Sequence, residues 1–300
     1  MIRIVTDSTC DLPEELLVQH RITVVPINVQ FREETYQERV NLSEDAFYRK
    51  VAELNTIPQT SQPSVGQFRT AYDALGAEAA TEAILSIHLT SHLSGTCSSA
   101  TIAATQMAAL TEPPRHLRRA DRSGPPITVF DSLSGSMGLG FMVLEAVQLA
   151  EAGAEMAAIV SRLETIRQRM RIFFSLDDLR YARMSGRVGM AQALIASLLS
   201  VKPMLTVQAG RLALVGRVRT RTQALRTMVG ALVESFKDEE AGNLPARVAV
   251  IHAQAPEAAA QVREAIESCL RTSEVLIHGL SIGIAVHFGP GTVGVVGYNP

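Results

Sequence analysis

The chain has no tryptophan, few cysteines, no excess of either charge and no long apolar run, and each shortage excludes something. Aromatic residues make up 5% of the 300 residues, too few to suggest the stacking surface that single-stranded nucleic acid uses. With 28 Lys and Arg against 30 Asp and Glu, the net charge is −2. No phosphate-neutralising face stands out, and nucleic acid is not expected as a partner. Cys10, Cys97 and Cys269 are widely spaced and odd in number, which supports neither a disulfide framework nor a zinc ribbon, so free thiols are expected. No uninterrupted apolar stretch approaches the ~18 residues needed to span a bilayer, and a carboxylate, Asp7, arrives early. A cytoplasmic location is expected.

What is present points to a folded α/β chain. Hydrophobic residues make up 47% of the sequence, and at about 150 residues per domain the length predicts roughly two domains. Short β-branched runs at Ile2 to Thr6, Ile22 to Val29, Ala83 to His88 and Ile127 to Phe130 predict strands. Between them lie predicted helices: Glu44 to Leu54, opened by Asn41 and an acidic first turn, Ser64 to Leu75 with a Ser64-x-x-Gln67 capping box, and Thr96 to Leu110. Such alternation implies a parallel sheet with helices on its faces. Residues 112 to 126 combine four prolines with a run of arginines and predict an exposed loop. A long helix from Ser136 to Glu151 ends near Gly153, a residue suited to a helix C-cap.

The composition changes beyond that glycine, and the domain boundary is placed near residue 155, giving domains 1–155 and 156–300. In the second half, strands are predicted at Ile172 to Ser175, Met204 to Gln208, Arg211 to Val218, Arg247 to His252, Glu274 to His278 and Thr292 to Val296. Helices are predicted at Ala157 to Arg169, Met190 to Ser200, Thr222 to Phe236 and Pro256 to Leu270. Gln208-Ala209-Gly210 predicts a hairpin turn, so this half is α/β with more antiparallel pairing and a mixed sheet. Helix 190–200 is apolar on nearly every side, which suits core, a subunit contact or a lipid tail.

Several familiar motifs fail on inspection. Gly289-x-Gly291-x-x-Gly294 matches the dinucleotide fingerprint in letters, but that mechanism needs a following helix and an acidic residue about 20 positions on. His88 and His92 lack the glutamate of a zinc peptidase, so no metal is expected, and with no Walker loop no cofactor is expected either. The informative feature is hydroxyl clustering at strand ends: Thr6 to Thr9, Thr60 to Ser64, Thr90 to Thr96 and Asp131 to Ser136. Loops at the carboxyl ends of parallel strands collect at one edge of the sheet, where ligands bind. Hydroxyls and helix N-termini there suit an anion, although single clusters of this kind also serve as plain caps and turns. Ser94 with His287 is also compatible with the nucleophile and base of a lipid or ester hydrolase. No sequence signature marks an orienting acid or an oxyanion hole.

Taken in order, Thr6-Asp-Ser-Thr-Cys-Asp-Leu-Pro13, Thr60-Ser-Gln-Pro-Ser64, Ser94-Gly-Thr96, Asp131-Ser132, Gly186-Arg187, Lys202-Pro203, Arg219-Thr-Arg221 and His287-Phe-Gly-Pro-Gly291 resemble the motif series of the DegV family, bacterial fatty-acid-binding proteins. The resemblance runs through nearly the whole chain. It implies two α/β domains with one long-chain fatty acid between them, its carboxylate held near the junction at Thr60, Ser61 and Ser94 with Gly95 and Thr96 adjoining, and with His287 and Arg187 close by. It also implies a lipid-binding subunit without activity alone, which presents the fatty acid to a fatty-acid kinase and makes at most transient contact with the membrane surface. Two departures stand out. Cys97 occupies a position where the family usually has an aromatic, and the loop before Ile127 is longer than typical.

Overall fold

The structure, a computed structural model, describes residues 1–111, 124–186, 201–237 and 245–300. Its first sheet is parallel throughout. Strands β1 (Ile2–Asp7), β2 (Thr23–Val25), β6 (Ala83–His88) and β7 (Ile127–Asp131) lie in the order β2-β1-β6-β7. Alternation in β1 shows why it is buried on both faces: Ile4 joins one core cluster and Val5 another, on opposite sides of the sheet. Helices α3 (Val65–Gly76) and α4 (Thr96–Thr111) cover the Val5 face with Phe68, Tyr72, Ala100 and Ala103. The expected capping box opens α3, with Ser64 and Gln67 satisfying each other's backbone N–H groups.

The expected strand Ile22 to Val29 is two strands. After β2 the chain leaves the parallel sheet at Pro26, which has no N–H to give a ladder, and enters β3 (Asn28–Phe31) of a small antiparallel sheet ordered β4-β3-β5. Strands β4 (Glu34–Gln37) and β5 (Gln59–Ser61) are polar and too short for an alternation signal. Helix α2 (Glu44–Leu54) packs on this sheet through Phe47. Its cap is Ser43, which accepts from Ala46 N, rather than Asn41.

Helix α5 (Met137–Glu151) is apolar on nearly all sides and buried from Met137 through Leu144, as expected of a helix enclosed between layers. One side meets Ile4, Leu85 and Ile87 of the first sheet. The other meets Val296 and Tyr298 of the second, with the Phe141 and Tyr298 rings 5.8 Å apart. The second sheet contains β8 (Arg171–Ser175), β9 (Lys202–Gln208), β10 (Arg211–Val218), β11 (Ala246–His252), β12 (Thr272–Gly279) and β13 (Val293–Tyr298), ordered β10-β9-β8-β13-β11-β12. It is mixed: β11 and β12 run parallel, and every other neighbouring pair is antiparallel. Ala209 and Gly210 join β9 to β10 with positive φ at both positions, the backbone of a type I′ hairpin.

After α6 (Met156–Arg169) and the short α7 (Leu179–Ser185), helices α8 (Arg221–Lys237) and α9 (Pro256–Cys269) pack on the outer face of the second sheet through Met228, Leu232, Val262 and Ile266. The inner face turns Leu205, Ile251 and Phe174 toward the first half. The expected helix 190–200 and most of the Pro/Arg loop lie outside the described residues. The last helix, α10 (Ile282–Phe288), returns to the first half and packs Ile282 and Val286 against Val29 and Phe31 of the small sheet.

Candidate functional site

In the first sheet, β1 and β6 are adjacent while their connections lead off in opposite directions, so the crevice beyond their carboxyl ends is the topological switch point. A cavity of about 330 Å³ opens there, within the size class of small-molecule sites. Three of its wall segments follow parallel strands: Thr9 after β1, Leu89 to Gly95 after β6, and Ser134 to Ser136 after β7. A fourth, Thr60 to Gln62, comes from β5 of the small antiparallel sheet and is held in register by Val29 opposite Thr60. The four hydroxyl clusters therefore meet at one site, although one of them arrives from a different sheet. The opposite wall is apolar: Ile172 and Phe174 of β8, Val207 of β9, Leu212 of β10 and Ile251 of β11 project from one face of the second sheet.

The polar and apolar walls touch through α10. His287, in its last turn, places Nε2 3.0 Å from Thr60 Oγ1, while Ile284 and Phe288 face the apolar side. Ser94 Oγ lies 2.8 Å from Thr96 Oγ1 and accepts from Thr96 N, which starts α4. Gly95 leaves room for a neighbour: a side-chain carbon there would stand 2.7 Å from the Gln62 amide nitrogen. Of the residues expected at the site, Thr60, Ser61, Ser94, Gly95 and His287 line the cavity. Thr96 is fully buried beside it and braces Ser94. Arg187 lies outside the described residues. Arg221, one of a group of basic residues that includes Arg217 and Arg219, turns inward, donating to Gly291 O and lying 3.7 Å from Asp177.

Behind this wall lies a layer of buried polar groups to which the sequence assigned no common role. Asp7 accepts from His88 Nδ1 at 3.0 Å, Leu89 N at 3.0 Å and Thr9 N at 3.1 Å, so it fastens together two of the wall segments. Burial opposes its charge, but the His88 contact and the other hydrogen bonds outweigh that and hold the carboxyl below its ordinary range. His88 Nε2 continues to Ser86 Oγ at 2.6 Å, which accepts from Tyr72 OH at 2.8 Å. Ser86, His88 and Asp7 thus follow the order of a nucleophile, base and acid relay. All three are fully buried and none lines the cavity, so the relay is a brace.

Asp11 accepts from Ser136 Oγ and Ser281 N, and Glu38 accepts from Ser8 Oγ, Ile282 N and Gly283 N. Burial pushes both carboxyls up, Glu38 to about 7. Ser136 has φ 52 and ψ −145, a strained conformation for a residue with a side chain, and the bond to Asp11 helps to hold it. Burial also raises the thiols of Cys10, to about 12, and Cys97, to about 11, which leaves both as poor nucleophiles.

A cavity with a hydroxyl end and an apolar end, at the switch point of an α/β sheet and covered by a second sheet, has the lining that suits an amphipathic small molecule. The chain belongs to the DegV family: the family model, described as "Uncharacterised protein, DegV family", matches residues 1–299. Protein DegV of Bacillus subtilis is 35% identical over 295 residues, covering 98% of each chain. A DegV domain-containing protein of Deinococcus radiodurans is 36% identical over 294 residues, covering 98% of this chain and 97% of its own. Among solved structures, a fatty-acid-binding DegV family protein from Thermus thermophilus superposes with a TM-score of 0.86 at 32% identity, covering 100% of this chain and 99% of its own. The structure of Bacillus subtilis DegV, described as a fatty acid binding protein, gives 0.84 at 34% with the same coverage. A stearic-acid-binding protein from Eubacterium ventriosum gives 0.86 at 26% identity, covering 100% and 98%. Among the described residues no helix is long and apolar enough to cross a membrane.

Proposed function

We propose that this chain binds one long-chain fatty acid, with its carboxylate among Thr60, Ser61, Ser94 and His287 and its tail along Ile172, Phe174, Val207, Leu212 and Ile251. The observation that carries the reading is the two-sided cavity, in which hydroxyls converge on one wall and a bare apolar sheet face forms the other. Fatty acid binding by DegV relatives that match this chain over its whole length supports it. Magnitudes divide the work. Burying a ~16-carbon tail at ~0.8 kcal/mol per CH₂ yields a gross gain near 12 kcal/mol, whereas each hydrogen bond to the charged head contributes roughly 1.5–3 kcal/mol. The tail supplies affinity and the head sets register.

In this reading the chain divides near residue 155, with α5 as the wall shared by both units, and the ligand lies between them. The chain acts as a substrate-presenting subunit in the cytoplasm. It has no activity alone and offers the carboxylate to a separate fatty-acid kinase that brings ATP, with at most transient contact at a membrane surface during exchange. The hydrolase alternative gains no support, with His287 Nε2 engaging Thr60 and Ser94 Oγ engaging Thr96. Organic extraction and mass spectrometry of protein purified from a bacterial host should find a fatty acid in stoichiometric amount. Protein that carries none and binds none on addition would refute the reading. Incubation with labelled fatty acid and ATP tests presentation: acyl phosphate should form only when a kinase is added.

A further inference from the structure

Asp11 and Glu38 take no part in the head-group contacts just assigned, yet they hold the element that carries one of them. They are 0% and 2% exposed. Both are aimed at the start of α10: Asp11 Oδ1 accepts from Ser281 N at 2.9 Å, and Glu38 accepts from Ile282 N and, at 3.4 Å, from Gly283 N. A seven-residue helix has few backbone bonds of its own, so the groups that hold its ends set its position. At the far end, about 7.5 Å along the axis at 1.5 Å per residue, His287 meets Thr60. The same carboxylates hold other parts of the cavity wall. Glu38 accepts from Ser8 Oγ at 2.6 Å, beside Thr9, and Asp11 accepts from Ser136 Oγ. A side-chain carbon on Gly283 would stand 3.2 Å from both Glu38 Oε2 and Thr9 Cγ2, and Thr9, Ser136 and Gly283 all line the cavity.

The charge around the pair is unbalanced. Arg39 attracts both carboxylates, but its Nη1 donates to Leu12 O at 2.9 Å and lies 3.9 Å from Glu14. The end of β1 brings Asp7, already bound to His88, and the segment after it brings the Cys10 thiol, which stays protonated. Helix α10 brings no ionisable group before His287, and β3 brings none. Tyr181 of α7 and Tyr48 of α2 are pushed upward by burial and stay neutral, while Glu44 of α2 lies against Gly279. Burial raises both carboxyls and the Asp11 charge raises Glu38 further, so with one shared arginine opposing them they retain a proton to higher pH than isolated acids. A protonated Glu38 still accepts the Ile282 N–H through one oxygen and turns its O–H to Ser8 Oγ, so the clamp survives the loss of charge.

Building on the head-group reading above, we propose that Asp11 and Glu38 are positioning residues of the carboxylate site and couple anion binding to proton uptake. They fix α10 and hence His287, and a proton on the pair removes a negative charge that otherwise repels the bound carboxylate. Decanoate, with decanol as the uncharged probe, tests this on the full chain by calorimetry between about pH 5.5 and 8.5, where a carboxylic acid in solution stays ionised. Wild-type affinity for decanoate should fall about tenfold across that range, equivalent to ~1.4 kcal/mol of charge repulsion, while decanol affinity stays level. Glu38→Gln keeps the Ile282 N and Ser8 Oγ hydrogen bonds without the charge and gives up only the 3.4 Å contact from Gly283 N. It should flatten the decanoate profile and bind about tenfold more tightly than wild type at the alkaline end. Glu38→Ala, which loses the clamp, should weaken binding at every pH and shift the His287 imidazole signals. If that variant does not fold, the Gln and decanol arms still decide. A wild-type slope retained in Glu38→Gln, or the same slope with decanol, would overturn the proposal. Unchanged decanoate binding in both Ser94→Ala and His287→Ala would instead remove the head-group reading and this proposal with it.

Discussion

Thr90 and Gly210 meet at the cavity rim: Thr90 Oγ1 donates to Gly210 O at 3.1 Å, and a side-chain carbon on Gly210 would collide with Thr90 Oγ1. The hairpin tip of the second sheet is therefore seated on the loop after β6. Gly210 also has φ 78, which residues with side chains resist. Gly210→Val should cost roughly 1–3 kcal/mol in urea unfolding and loosen fatty acid binding, because the tip that carries Leu212 lifts from its seat. Wild-type stability in this variant would show that the contact carries no energy.

Ser94→Ala removes one charge-assisted hydrogen bond to the bound carboxylate, worth roughly 1.5–3 kcal/mol, so the fatty acid Kd should rise about ten- to a hundredfold. The fold should lose no more than ~1 kcal/mol, the usual worth of a helix cap. Calorimetry with a soluble fatty acid, paired with thermal unfolding, separates the two effects.

Asp7→Asn addresses the buried brace. The folded-state carboxyl titrates below 3.8, so its stabilising contribution is complete above about 3.8 and is lost as pH falls through the lower folded value. The variant should lose roughly 1–3 kcal/mol near neutrality by leaving a buried donor mismatched. Its unfolding free energy should depend less on pH in the acid range than that of wild type.

Glu38 has the opposite sign. Its folded-state value of about 7 lies above the ordinary 4.5. The folded chain therefore binds this proton more tightly than the unfolded chain does, and stability falls as pH rises from about 4.5 to about 7. Glu38→Gln should remove that fall and leave the variant more stable than wild type at pH 8 by roughly 1–3 kcal/mol. Denaturant titrations across the range read this directly, without any ligand.

The elements most legible in sequence were those with a clear hydrophobic period, even where the cap differs, as with Ser43 rather than Asn41 before Glu44–Leu54. Ala83–His88, Glu44–Leu54 and Arg211–Val218 sit where the pattern places them. The parallel first sheet and mixed second sheet follow from the alternation and from the Ala209-Gly210 turn. The hydroxyl clusters that form the polar wall were visible because strand ends are local features. Glu38 was not visible, since a lone glutamate between a short polar strand and a helix looks solvated, and it becomes a buried cap only when residues 282–283 arrive from the far end of the chain. Helix α10 was missed for a related reason. At seven residues it is too short to show a period, although His287 within it was already expected at the site.

Strand β13 lies in the middle of the second sheet, between β8 and β11. Without residues 293–298, β8 to β10 and β11 to β12 share no strand pairing, so the sheet remains two fragments with open edges. On a ribosome, these fragments must wait for β13, made after all the other strands of this sheet, before they close into one sheet, and their exposed edges are what a chaperone would shield in the meantime. The same late stretch of chain brings α10 and His287, so the polar wall of the cavity and the sheet behind its apolar wall are completed in the same step of synthesis. A nascent chain that stalls before this stretch would hold neither a finished sheet nor a site able to sequester a lipid.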